Sequence, residues 1–159
     1  MSAPAAALAA KAALVSACST LWPEPTLVTY GPGGTYETDD TVEVRDVAFT
    51  EGAGRMAPLR KRWHAFAITG RIVTYRGGGV EVQQIASERA LTMLEQLGAY
   101  LQDSGVVGSS QNTLGGTVHW SRVTSFNLHE PDDDEIADGG LSEGRYAFLD
   151  FTVSGEVVA

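Results

Sequence analysis

Val80–Asp103, VEVQQIASERALTMLEQLGAYLQD, is the stretch whose reading decides the fold. Its apolar residues Ala86, Ala90, Met93, Leu97 and Leu101 recur at steps of four, three, four and four, with Leu94 and Tyr100 broadening the stripe. That is the period of an amphipathic α-helix. The other side, Glu81, Gln84, Glu88, Glu95 and Gln102, is polar, so the spacing predicts a central helix over about 82–103 lying on a sheet. Ser87 is one candidate N-cap and a start nearer Val82 the alternative; Gly105 before Val106 and Val107 predicts the stop.

Outward from this helix the chain reads mostly as strand. Before it, Trp63–Tyr75 (WHAFAITGRIVTY) puts Phe66, Ile68 and Ile72 on one face and Ala65, Ala67, Val73 and Tyr75 on the other, and Gly77-Gly78-Gly79 supplies the turn into the helix. Apolar residues on both faces suit a strand with a helix on one side and another subunit on the other. Thr41–Phe49 (TVEVRDVAF) is a further strand whose change of parity near Arg45 and Asp46 predicts a bulge or cover on both sides. Thr26–Tyr30 is a short one, closed by Gly31-Pro32-Gly33-Gly34. That glycine cluster is a turn and not a phosphate loop, since neither Lys-Ser nor Lys-Thr follows it and no helix begins there.

After the helix, Thr117–Leu128 (TVHWSRVTSFNL) carries Val118, Trp120, Phe126 and Leu128 at even positions, a pattern with one face buried that Arg122 interrupts. Arg145–Val153 (RYAFLDFTV) alternates cleanly through Ala147, Leu149, Phe151 and Val153. The acidic connection His129–Gly144 makes these two an antiparallel pair. At the N-terminus, alanine-rich Ala3–Leu21 predicts a helix over about 3–22, with Pro4 in its first turn and Pro23 as its stop. Leu8, Ala12, Val15 and Trp22 would share a face there, beside Leu14, Cys18 and Leu21. The expected fold is α+β: a mostly antiparallel sheet, the central amphipathic helix and an N-terminal helix packed on it, in one domain over 1–159.

Composition narrows the function. A formal net charge of −9 opposes adhesion to a phosphate backbone, which depends on Lys and Arg displacing counterions. Cys18 is the only cysteine, so no internal disulfide forms and a thiolate zinc site lacks partners; a buried structural thiol is the reading. Val15-Ser16-Ala17-Cys18 resembles a lipobox, but Lys11 is the only preceding positive side chain and the apolar core Ala12–Ala17 is short for a signal region. With no later segment apolar for long enough to cross a bilayer, the expectation is a soluble intracellular chain.

A search for chemistry finds no constellation. His64, His119 and His129 form no His-Glu-x-x-His arrangement, no serine sits in a Gly-x-Ser-x-Gly elbow, and Cys18 has no evident base. Asp132, Asp133, Asp134, Glu135 and Asp138 are hard oxygen ligands of the kind a divalent cation takes, but they lack calcium-loop spacing and read as a solvated tip or an acidic contact. Within Thr50–Lys61 and just beyond it, Arg55, Arg60, Lys61 and Arg62 precede Trp63, and such a cluster in an acidic protein is either a solvated connection or a contact for a subunit or tube surface. No catalytic, cofactor or metal residue is assigned. The expectation is a binding or assembly role and not an enzyme.

The order helix, strand, two long strands, helix, two long strands resembles the tail terminator (tail completion) proteins of long-tailed bacteriophages. The residues that carry the likeness are Ala5–Leu21 leading into Pro23 and Val28, Ile85–Leu101 directly after WHAFAITGRIVTY, the Leu114-Gly115-Gly116-Thr117-Val118 entry to a strand, and the closing Gly144–Val153. They span nearly the whole chain, as element order and apolar spacing without a diagnostic motif. The alanine-rich first helix and the length of Asp132–Glu143 do not match the family pattern. The resemblance implies a virion structural protein at the tail–neck junction, assembled in the host cytoplasm. It implies a self-associating homohexameric ring that caps the tail tube protein, stops its polymerisation and meets the head-proximal connector protein, with DNA as passing cargo and no membrane. A head-closure or other neck or tube ring protein is the nearest alternative. A small metal-binding α+β module using the acidic loop and His129, and a lipidated surface protein, are the others.

Overall fold

The computed structural model describes residues 2–33, 36, 38–50, 63–102 and 112–158. The chain runs α1 (Ala3–Leu21), β1 (Leu27–Tyr30), β2 (Asp40–Thr50), β3 (Trp63–Arg76), a 3-10 turn (Val80–Val82), α2 (Gln83–Gln102), β4 (Trp120–His129), α3 (Asp133–Asp138) and β5 (Arg145–Val158). The strands form a five-stranded sheet in the order β1-β2-β3-β5-β4, with β1 and β2 parallel and every other pair antiparallel. It is an α+β fold with a mostly antiparallel sheet.

Both long helices lie on one face, α1 over β1 and β2, and α2 over β3, β5 and β4. The core between them is built as the alternation dictates. Val42 and Val44 of β2, Phe66, Ile68 and Ile72 of β3, and Ala147, Leu149, Phe151 and Val153 of β5 are buried against Ala86, Ala90, Met93, Leu97 and Leu101 of α2. The bulge expected near Arg45 falls between Val44 and Val47. One extra residue returns Val47 and Phe49 to the helix side, where both pack on the core. Gly70 and Gly155 sit where that core is tightest: a Cβ on Gly70 would strike the Phe151 ring, and one on Gly155 would come within 2.7 Å of Phe66 Cζ.

Three local expectations are corrected. The first concerns α2, which begins after the 3-10 turn, so the start near Val82 holds and Ser87 is not its cap. Ser87 is inside the helix and buried, donating its hydroxyl to Glu130 Oε1 at 2.6 Å. The predicted stop at Gly105 lies outside the described residues.

The second concerns α1, which buries Ala6, Ala7, Ala10, Leu14, Ala17 and Cys18 and leaves Leu8 55% exposed, so the face drawn through Leu8 and Ala12 is the wrong one. Alanine supplies so little contrast between sides that the periodicity does not fix the rotation. The side that faces the sheet is the one carrying Ala6, Ala7, Ala10, Leu14 and Cys18, all buried in the core. Pro4–Leu21 is long and apolar enough by length and composition to cross a membrane, but Ala10, Leu14 and Cys18 within it are fully buried in the core. Trp22 Nε1 donates to Gln96 Oε1 at 2.8 Å, tying α1 to α2.

The third concerns β4. A register shift between Val123 and Ser125 means that Trp120, opposite Glu156, and Phe126, opposite Phe151, lie on opposite sides of the sheet. The even positions therefore do not form one buried face. Val123 and Leu128 pack on the core, and Phe126 is 56% exposed.

Candidate functional site

The basic cluster Arg55, Arg60, Lys61 and Arg62 lies outside the described residues. Trp63 opens β3 in register with Val158 of β5.

The acidic segment read as a solvated tip is a short helix. Asp132 is its N-cap: its carboxylate accepts from Glu135 N at 2.8 Å, and the Glu135 side chain returns to the Asp132 N–H, forming a reciprocal capping box. Aspartates at Asp133 and Asp134 sit in the first turn, where the backbone N–H groups favour negative charge. Ile136 is the anchor that a charge count overlooks. It is buried with Val73 and Tyr146 in a second apolar cluster, joined by Tyr36, Tyr75, Leu141 and Phe148, on the sheet face away from α1 and α2. Glu135 is also paired with His129 at 2.7 Å, and Asp133 with Arg145 at 2.7 Å. Among the described residues no three of His, Cys, Asp and Glu converge as a metal would require.

The sheet face opposite α1 and α2 also holds a polar network that the sequence reading did not single out. Glu43, on β2, is 1% exposed. Its carboxylate accepts from Tyr36 Oη at 2.8 Å, from Gly33 N at 2.9 Å, and from Arg45 Nη2 at 3.2 Å. The chain after β1 therefore folds over this face and is pinned by one buried carboxylate. Next to it in register, Arg71 of β3 pairs with Asp150 of β5 through Nε–Oδ1 at 2.7 Å and Nη2–Oδ2 at 3.2 Å, and lies over the Phe148 ring. The Asp150 carboxylate is the main reason that the Arg71 pKa is raised. Burial first, and then the hydrogen bond to Glu43, push the Tyr36 phenol up. The usable signal was the placement of Glu43 between Val42 and Val44: alternation puts it with Arg45 on the second face, facing Arg71 across the ladder.

Beyond that network the same face has small side chains: Ala48 and Thr50 of β2, Ala65 and Ala67 of β3, and Ser154 of β5, bordered by Trp120 donating to Glu156 Oε2 at 3.1 Å. A shallow hollow of about 380 Å³ runs between them. A second hollow of about 470 Å³ sits at the other end, between Gly78, Gly79, Ile136, Leu141 and Arg145, whose buried Nε has no partner among the described residues. Asp133 and Glu143 also line it, and Glu81 nearby accepts from Gly79 N at 3.2 Å. Glu81 is held below the usual carboxylate range chiefly by its own backbone N–H and then by that of Gly79.

His64 is buried beside Phe49, with ring centroids 5.5 Å apart. Cys18 is fully buried, which pushes its thiol up to about 12, far from the range of a nucleophilic thiolate. The described surfaces thus offer a partly covered second sheet face and two strand borders. No family model matches the chain, and no curated protein is found to be similar to it.

Proposed function

We propose that this chain is a virion structural protein of the tail terminator type: a subunit of a homohexameric ring that caps the tail tube, halts its growth and joins it to the head-proximal connector. The observation that carries the reading is the order of elements along nearly the whole chain. It is supported by a sheet whose two long helices lie on one face and, among the described residues, small and polar side chains over much of the other. A subunit built for assembly needs such surfaces, and a ring joins unlike patches of successive copies through a rotation that closes.

The charge supports the same reading. A ring that passes DNA benefits from a surface that does not hold phosphates, and −9 per subunit disfavours the counterion release that makes such contacts tight. On the assembled particle, acidic side chains should face the lumen; a lumen lined chiefly by Arg and Lys would rule this part out.

Arg55, Arg60, Lys61, Arg62 and Trp63 are the proposed contact with a neighbouring subunit or the tube, and Asp132, Asp133, Asp134 and Glu135 the proposed acidic contact. Truncating Trp63, or replacing Arg60 and Lys61 together, should weaken association more than folding, as read by light scattering beside a melting curve. The decisive experiment is the mass of the native particle, followed by addition of purified protein to polymerising tube protein. A six-subunit mass with arrested tube growth is expected. A chain that stays monomeric at high concentration beside tube protein, or that turns over a substrate, refutes the proposal.

A further inference from the structure

Among the described residues the sheet has two unpaired borders, β1 on one side and β4 on the other. Their directions follow from the pairings. With β3 taken as pointing up, antiparallel pairing sends β2 and β5 down, parallel pairing sends β1 down with β2, and β4 runs up. A second copy placed beside the first, with its helices on the same side, therefore sets its β1 antiparallel to β4. That geometry lets two edges exchange backbone N–H···O=C bonds in a regular ladder.

The side chains at the two borders fit this placement. On the helix side, β4 presents Phe126, opposite Phe151 in the register and 56% exposed. On the same side, β1 presents Tyr30, opposite Val44 and 55% exposed. Leu8 of α1, also 55% exposed, is one turn from Lys11, whose ammonium lies 3.9 Å from the centre of the Tyr30 ring. Each border thus ends in exposed apolar side chains that a joint sheet would cover.

Edge strands that must stay single are usually guarded by inward charges, proline or a twist at a bulge. Here the bulge ends at Ser125, and the stretch Ser125–Leu128 beyond it carries neither charge nor proline. The four residues of β1 need no more than that length.

We propose that β4 of one copy adds to β1 of the next, so that Phe126 of the first meets Tyr30 and Leu8 of the second and the sheet continues from subunit to subunit. This rests on the ring reading above and specifies which surfaces close it. A two-fold β4-to-β4 pairing is the competing arrangement, but it would end at two copies and leave Tyr30 and Leu8 bare.

The test uses the full chain carrying Phe126→Cys, the full chain carrying Tyr30→Cys, the two co-expressed, and a double variant carrying both substitutions in one chain, each treated with a short bis-maleimide linker. Native Cys18, fully buried, serves as an internal control for unfolding. Co-expression should give a linked dimer that neither single variant gives, and the double variant should give a ladder of linked multimers. Phe126→Asp, exposed and so compatible with folding, should shift the native mass toward monomer with an unchanged circular dichroism spectrum. Self-linking of the Phe126→Cys variant alone would overturn the proposal in favour of two-fold pairing. An oligomeric native mass without any linking, or one unchanged by Phe126→Asp, would overturn it while leaving the ring intact. A monomer at every concentration would remove both.

Discussion

Replacing Glu43 by alanine should cost this protein about 3 kcal/mol, because a buried charged acceptor with several donors is worth far more than an exposed ion pair. Three groups converge on its carboxylate: Tyr36 Oη at 2.8 Å, Gly33 N at 2.9 Å and the Arg45 guanidinium, the nearest of whose nitrogens is at 3.2 Å. Hydrogen bonds to charged groups contribute roughly 1.5–3 kcal/mol each, so a simple sum would give about 5–9 kcal/mol. That sum overshoots, because the donors are not all stranded when the carboxylate goes. The Arg45 side chain is 30% exposed and swings into water, whereas a truncation costs its full 3–5 kcal/mol only if the surviving partner stays buried. Gly33 N and Tyr36 Oη are half-buried and recover part of their loss through water.

Glu43→Gln separates shape from charge. It keeps the volume and an acceptor for Tyr36 or Gly33 and loses only the charge assistance, so about 1–2 kcal/mol is expected. Arg45→Ala alone should cost below about 1 kcal/mol, as partly exposed pairs do. Urea unfolding of the parent and the three variants, compared at a common m-value, measures all of this. For a chain of this length, 3 kcal/mol lowers the melting temperature by roughly 6–12 °C. Glu43→Ala within about 0.5 kcal/mol of the parent, or Glu43→Gln as costly as Glu43→Ala, would refute the account of a carboxylate that pins the chain over the sheet.

Further outcomes follow from the core and from the titrating groups. Leu97→Ala should destabilise by about 3–4 kcal/mol in the same unfolding assay, because Leu97 is fully buried between α2 and the sheet and the site collapses only partly. Gly155→Ala should cost at least about 1–3 kcal/mol, since the new methyl meets the Phe66 ring and the Trp120 carbonyl, and an unchanged midpoint would contradict the packing. Cys18 should resist a thiol reagent in native protein and react only as fast as the chain opens, so rapid native labelling would place it elsewhere. Tyr36 and Tyr146 both have raised folded-state pKa values, mainly through burial. Their neutral forms are therefore favoured by the fold, and the stability they contribute is present below the ordinary value of 10.0 and lost as pH rises through the raised ones. A tyrosinate titration in which Tyr36→Phe removes a late-titrating phenol checks it.

The parts of this fold that were legible in the sequence are those where contrast between neighbouring side chains is large. In α2 the stripe Ala86, Ala90, Met93, Leu97, Leu101 stands against glutamates and glutamines, and each of the five is buried. In β5 the alternation Ala147, Leu149, Phe151, Val153 fixes the face because a slip of one residue would expose all four. Where the contrast fails, so does the reading. An alanine-rich α1 has nearly equivalent sides, and only the packing of Leu14 and Cys18 into the core shows which of them faces the sheet. In β4, two-residue periodicity presumes an unbroken ladder, and the single residue inserted between Val123 and Ser125 moves Phe126 to the other side from Trp120. The polar network was hidden for a different reason. A carboxylate such as Glu43 is read as solvent-facing by default, and only the return of the chain through Gly33 and Tyr36, a contact between residues joined by a glycine turn, converts that position into an interior one. The same logic applies to Asp132–Asp138, where the like charges argued for a loose tip. One apolar residue, Ile136, placed on the side of a capped turn that faces Val73 and Tyr146, was sufficient to seat the segment on the sheet.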